Sequence, residues 1–174
     1  IALQHTSDEM LKKMKRRNEF HTDLPLFERI ASHGYALGTD YIVGFPGESE
    51  LLWQEAIDRV KQLPLTHVHA FSYSKRNGTP AAMMKPEIRG DLAKLRHKEL
   101  SDIVKAKNLH FREQLSLPLE LLVENEKITK EGYLYMGNDQ FFNKVELFSK
   151  IKIDETWLQI EKYKVEATKN SASF

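Results

Sequence analysis

The sequence predicts an α/β fold over residues 1–115, followed by a small antiparallel β-domain over 116–169 and a flexible tail over 170–174. Three observations carry this. Short apolar runs at 36–45 and 66–73 flank an amphipathic stretch at 50–63, the signature of a strand–helix–strand unit with parallel strands. The run Thr39-Asp40-Tyr41-Ile42-Val43-Gly44-Phe45 enters Pro46-Gly47, a strong turn pair, and then Glu48-Ser49-Glu50, an acidic helix start with a capping hydroxyl. After Leu115 the texture changes to short β-rich runs at 117–123, 132–136, 142–148 and 157–165, broken by Asn125-Glu126-Lys127, Gly137-Asn138-Asp139 and Ile153-Asp154-Glu155.

The chain has 174 residues, 41% of them hydrophobic, which suits one ordinary domain with a small second one. A net charge of +1 gives no global field, so any contact with nucleic acid must be local. The absence of Cys excludes disulfides and thiolate metal sites within these residues. No apolar run is long enough to span a bilayer and no signal-peptide pattern is present, so no membrane partner and a cytoplasmic placement are expected. The chain opens directly in a strand-like segment, Ile1-Ala2-Leu3-Gln4, and an upstream part is expected to be missing. The bare edge left there predicts self-association.

Taken in order, Thr6-Ser7-Asp8-Glu9 reads as a capping box with Thr6 as N-cap, opening a helix to about Arg17 that buries Met10, Leu11 and Met14. Lys15-Arg16-Arg17 closes it, where cations suit a helix C-terminus. A second helix spans 22–32, with Pro25 in its first turn and Gly34 as its stop. The helix at 50–63 buries Leu52, Trp53, Ala56, Ile57 and Val60, and Pro64 ends it. Lys75-Arg76-Asn77-Gly78-Thr79-Pro80 is a turn-bearing loop with a basic pair. A long helix at 87–115 carries a stripe of Leu92, Leu95, Leu100, Ile103, Val104 and Phe111.

Asp40 is the odd residue, a carboxylate inside an apolar strand. Unpartnered burial of a polar group costs roughly 2–7 kcal/mol, so Asp40 needs a backbone partner or a ligand. Side chains at i and i+2 share a strand face. This groups Asp40 with Ala36, Gly38 and Ile42, Gln4 with Ala2, and Ser74 with Val68, Ala70 and Ser72. These sets are small or polar. The opposite sets, Ile1/Leu3, Leu37/Tyr41/Val43 and Phe71/Tyr73, are bulky and are expected under the helices. The small face then lines a concavity near the strand ends, where α/β folds bind ligands. His67 and His69 are placed on the covered face; the pair has metal spacing but no third ligand, so no metal site is expected.

With these residues in place, the chain resembles the radical S-adenosylmethionine methylthiotransferases of tRNA over nearly its whole length. Three blocks carry the resemblance: Leu3-Gln4 with Ser7-Asp8-Glu9-Met10-Leu11-Lys12 and Met14-Lys15-Arg16-Arg17; Thr39 to Glu48; and Phe71 to Ala82. The terminal β-region is loosely similar to the family's TRAM domain, an OB-like barrel that grips tRNA. The resemblance implies a radical-SAM partial (β/α) barrel, its second half, ahead of that domain. It implies that Gln4 and Asp40 hydrogen-bond the cofactor ribose, that Arg16 pairs with the cofactor carboxylate, and that Ile42 and Ser74 line the adenine. A planar guanidinium reads a carboxylate with two parallel bonds. Lys15, Arg17, Lys75 and Arg76, flanking the expected pocket mouth, are the candidates for RNA contact.

Met14-Lys15-Arg16-Arg17 and Tyr73-Ser74-Lys75-Arg76 resemble most the branch acting on N6-threonylcarbamoyladenosine beside the anticodon. The isopentenyladenosine branch is the second reading. The branch modifying a ribosomal-protein aspartate is third, because it usually lacks the acid matching Asp40. The family's CxxxCxxC triplet and the N-terminal domain of its second cluster are absent, so the two 4Fe-4S clusters implied for the whole enzyme have no ligands here. This piece is expected to be inactive alone and to carry no catalytic residue, supplying part of the S-adenosylmethionine site and of the grip on the tRNA anticodon stem-loop. The competing class is a non-catalytic RNA-binding module, which has no need of an acid buried in a strand.

Overall fold

The computed structural model describes residues 1–174, and the chain divides into two compact units between Asn108 and Leu109. The first unit is α/β. Its helices are α1 (Asp8–Lys13), α2 (Phe20–Ala31), α3 (Glu50–Gln62) and the start of α4 (Gly90–Gln114). Its strands β1 (Gly38–Val43) and β2 (His67–Ser72) pair in parallel, with α3 as the crossover. The first residues run alongside β1, where Gln4 N–H donates to Asp40 O at 3.0 Å and Ile42 N–H donates to Gln4 O at 2.8 Å. Only Gln4 makes a formal bridge, so the expected strand at 1–4 is a short extended edge.

Why the helices fall where they do is local chemistry. The Thr6 capping box does not form; Ser7 is the N-cap of α1, and Thr6 instead donates its hydroxyl to Ala56 O at 2.8 Å. That anchors the helix start to α3, a tertiary bond that displaces the local one. Lys15, in the left-handed region at φ 57°, ends this helix earlier than its sequence suggests. Pro25 lies inside α2 and not in its first turn, and Gly34 at φ 83° lets the chain turn back toward β1. Ser49 caps α3 by accepting from Leu52 N–H at 3.3 Å.

One sheet face packs on α3 and α4 through Tyr41, Val43, Trp53, Ile57, Val60, Leu100 and Val104. A second cluster, Leu3, Phe27, Leu37, Leu63 and Leu65, seats α2. Leu52 is only partly buried and Leu95 is 66% exposed, so neither belongs to the stripe expected of it. The buried position near Leu95 is taken by Arg96.

The second unit is a curled six-stranded sheet in the order β6-β3-β4-β5-β8-β7, with β3 (Leu119–Ile128), β4 (Tyr133–Asn138), β5 (Lys144–Ser149), β6 (Trp157–Ile160), β7 (Lys164–Val165) and β8 (Asn170–Ser173). The sheet is mixed, because β5 and β8 pair in parallel. The expected loose tail is therefore strand β8, tied in by Arg112, which donates to Glu166 O, Lys169 O and Asn170 Oδ1 at 2.8–3.0 Å. Its core is Leu119, Leu121, Tyr135, Val145, Leu147, Leu158 and Ile160.

Candidate functional site

The parallel register decides which side chains meet on the open face. Gly38 pairs with His67, Asp40 with His69 and Ile42 with Phe71, and directly paired residues share a face. Tyr41 and Val43 are buried against the helices and Thr39 is buried where its hydroxyl accepts from Leu3 N–H, which leaves Gly38, Asp40 and Ile42 half-buried on the other side. β1 thus follows the expected alternation.

On β2 the expectation is reversed. Val68 and Ala70 pack on the core, while His67, His69 and Phe71 share the face of Asp40. The covered side already holds Tyr41 and Trp53, so small residues fit between them and the bulky ones turn outward. Ser74 belongs by number to the covered set, but it lies beyond the end of β2 and is exposed.

Gln4 bridges to Tyr41 at the edge of β1, its backbone bonded to Asp40 O and to Ile42 N–H. Its φ of 69° places a non-glycine residue in the left-handed region, a local strain of the kind found at ligand sites. The Asp40 carboxylate is 47% exposed, and His69 Nδ1 stands 3.6 Å from it. The His69 ring lies 4.2 Å from that of Phe71 between centroids. Ile1, Ala2, Gly38, Thr39, Asp40, His67, Val68 and His69 bound a cleft of about 330 Å³. The structure therefore puts Asp40, Ile42 and His69 on one open face, with the backbone of Gln4 running alongside at the edge.

Arg16 follows α1, with its side chain exposed and its N–H on Leu11 O at 2.9 Å. Lys15, Arg17 and Arg76 are exposed as well. Lys75 is paired with Glu87 at 2.9 Å, and Lys85 reaches the same oxygen at 2.9 Å. Hydrogen bonds from Lys75 and Lys85 pull the Glu87 carboxyl down to about 2 and raise Lys75.

Below β1 lies a buried polar network that sequence reasoning missed. Glu48, fully buried, accepts from Gly44 N–H at 3.0 Å, so it closes the turn after β1. Arg96 Nη1 donates to Glu48 Oε2 and to Glu48 O, both at 2.8 Å, and Nη2 to Glu50 Oε2 at 2.8 Å. His5 Nδ1 accepts from Ser7 N–H at 3.0 Å, so the ring proton sits on Nε2 and donates to Glu48 Oε1 at 3.1 Å. Tyr41 donates to Thr6 Oγ1 at 2.9 Å, because the Thr6 hydroxyl proton is committed to Ala56 O. Burial raises the Tyr41 phenol well above its ordinary range. The signal for Glu48 was present as an acid directly after Pro-Gly, but it was read as a helix-start charge.

An accessible Asp carboxylate can bind adjacent hydroxyls of a sugar by accepting two O–H bonds, and a Gln amide can both donate and accept. Iron–sulfur ligation is a different matter. The chain holds no Cys, so these residues do not supply a cluster.

No family model matches the chain. A protein of Helicobacter pylori (strain J99) named as a methylthiotransferase is 41% identical over 177 residues, covering 100% of this chain and 41% of the relative. The tRNA-2-methylthio-N(6)-dimethylallyladenosine synthase of Desulfitobacterium hafniense is 35% identical over 127 residues, 71% of this chain and 28% of the relative. The threonylcarbamoyladenosine tRNA methylthiotransferase of Thermotoga maritima is 29% identical over 143 residues, 79% of this chain and 32% of the relative. Further relatives are named as ribosomal protein uS12 methylthiotransferases. The chain thus spans less than half the length of the relatives it matches. The Helicobacter similarity covers the whole of this chain, and the chain belongs to the methylthiotransferase family.

Proposed function

We propose that this chain forms part of a tRNA methylthiotransferase, and that the open face of β1 holds the adenosyl part of S-adenosylmethionine. The observation that carries this is the accessible Asp40 carboxylate beside a cleft, with the Gln4 backbone bonded to that of Asp40. Gln4 and Asp40 would take the ribose hydroxyls, and Ile42 would offer an apolar surface to the base. Ser74 and Arg16, past the end of β2 and after α1, would reach the adenine and the carboxylate. When bound, S-adenosylmethionine supplies one-electron chemistry at carbon, which the family couples to iron–sulfur clusters. This chain's residues bind and orient; with no Cys among them, turnover needs ligands from elsewhere.

The substrate favoured is N6-threonylcarbamoyladenosine at position 37 of tRNA, because Lys75-Arg76 and Lys15-Arg16-Arg17 match that branch. Isopentenyladenosine-37 is the second reading. The β-domain fits the place of a TRAM-like RNA-binding barrel, the first unit fits half of a parallel barrel, and the protein is assigned to the cytoplasm. No helix is long and apolar enough to cross a membrane. Mass spectrometry of nucleosides from cells with and without the gene tests the substrate. Loss of 2-methylthio-N6-threonylcarbamoyladenosine alone is expected; loss of the isopentenyl nucleoside, or a change confined to a ribosomal protein, would overturn the assignment.

Lys75 and Arg76 are proposed to contact tRNA phosphates with Lys15 and Arg17. Reversing Lys75 and Arg76 to Glu in the full-length protein should weaken tRNA binding and flatten its salt dependence by about two phosphate contacts. An unchanged gel-shift affinity at physiological salt would reduce this loop to a solvated tip held by Glu87.

A further inference from the structure

Residues 139–143 join β4 to β5, and their conformation sets one side chain apart. Asn138 pairs with Lys144, and Phe142 N–H donates to Asp139 O at 2.9 Å, so 139–142 form a β-turn closed by a left-handed residue. That residue is Phe142, at φ 62°. This position asks for Gly or Asn, and a bulky side chain there is a genuine outlier. The Phe142 ring is nevertheless 80% exposed, so burial does not compensate for the backbone strain.

The loop is not loose. Asp139, 5% exposed, accepts from Phe141 N–H and Asn143 N–H at 2.9 Å, and from Asn143 Nδ2 at 3.2 Å and Asn170 Nδ2 at 3.4 Å. Gln140 is pinned to β3 by accepting from Glu120 N–H at 2.9 Å and donating to Pro118 O at 2.9 Å. Phe141 turns inward and meets Phe111 edge-on at 5.4 Å. A hydrogen-bonded turn therefore presents the Phe142 ring to solvent, with Phe141 and Asn143 turned inward on either side and the exposed Lys144 two residues on.

An exposed aromatic on a hydrogen-bonded turn, with a cation two residues away, suits a nucleobase. Stacking needs one flat face, and the neighbouring ammonium meets the phosphate. A turn whose backbone is already fixed leaves only the ring's own torsions to be ordered on binding. A protein partner would ask for an apolar surround at such an anchor, which the exposed Gln140 and Lys144 do not give. We propose that Phe142 stacks on an unpaired base of the RNA substrate; this rests on the tRNA reading above.

The strain makes the test clean. In the full-length protein, Phe142→Gly removes the ring and relaxes the turn. The expected result is a thermal midpoint unchanged or raised, with the tRNA dissociation constant raised about fivefold or more. Phe142→Trp should keep the dissociation constant within about twofold, since indole offers an equal stacking face. Unchanged affinity in Phe142→Gly, with wild type binding tRNA, overturns the inference and leaves the proposed function standing. Weaker binding accompanied by a lower midpoint also overturns it, because the ring is then structural. Lost affinity for a ribosomal protein with tRNA binding intact assigns the ring to a protein surface. A wild type that binds no tRNA overturns both the inference and the reading beneath it.

Discussion

Glu48 lies between His5 and Arg96 with no exposure, and its carboxylate also takes the N–H of Gly44. Glu48 and Arg96 are charges out of water, held by each other, by these bonds and by the pairing of Arg96 with Glu50, so removing Glu48 is costly. Glu48→Gln should destabilise the first unit by about 3 kcal/mol in urea titration, and an effect within experimental error would show that Arg96 repairs itself through Glu50. Tyr41 gives a pH prediction. Burial raises its folded pKa above the ordinary 10.0, so its contribution is full below pH 10.0 and is lost as pH rises toward the folded value. The alkaline limb of stability should therefore fall steeply in wild type and flatten in Tyr41→Phe, which costs about 1 kcal/mol at neutral pH for the lost bond to Thr6. Equal limbs would exclude Tyr41 as the titrating group. At this scale Asp40 was legible because a carboxylate in an apolar strand demands a reason. Glu48 was not, because only the fold brings His5 and Arg96 to it from far along the chain.

Between β1 and α3 the chain turns at Gly44, whose φ is 76° and whose absent Cβ would stand 2.9 Å from Ala93 Cβ of α4. The strand end and the helix touch only because that carbon is missing. Gly44→Ala adds left-handed strain of about 1–2 kcal/mol to a contact with little room, and should lower the thermal midpoint by several degrees while shifting the amide signals of 43–48. An unperturbed spectrum would show that α4 moves away freely. The helices were legible from apolar spacing, as α3 shows. The face of β2 was not, because its pattern offers bulk on one side and small residues on the other without saying which side holds Tyr41 and Trp53. Similarly, the Thr6 cap was legible as a motif and wrong as a contact, since Ala56 O competes for the same hydroxyl.

Across the whole chain, division of labour follows composition: a parallel strand pair under helices in the first unit and a curled mixed sheet in the second. The change in texture after Leu115 was visible, but the pairing of β8 with β5 was not, because Asn170-Ser171-Ala172-Ser173 has the polarity of a loose end. Arg112 and Asp139 hold that segment through bonds that no local pattern announces. In the proposed cofactor site the first unit would supply Asp40 and Gln4. Isothermal titration of S-adenosylmethionine into the full-length protein, wild type against Asp40→Asn, measures this most directly. Loss of a hydrogen-bonded carboxylate at about 1.5–3 kcal/mol predicts a dissociation constant raised roughly tenfold to a hundredfold, with the thermal midpoint of the unliganded protein unchanged. Equal affinity for the two proteins would contradict the placement of the cofactor on this face.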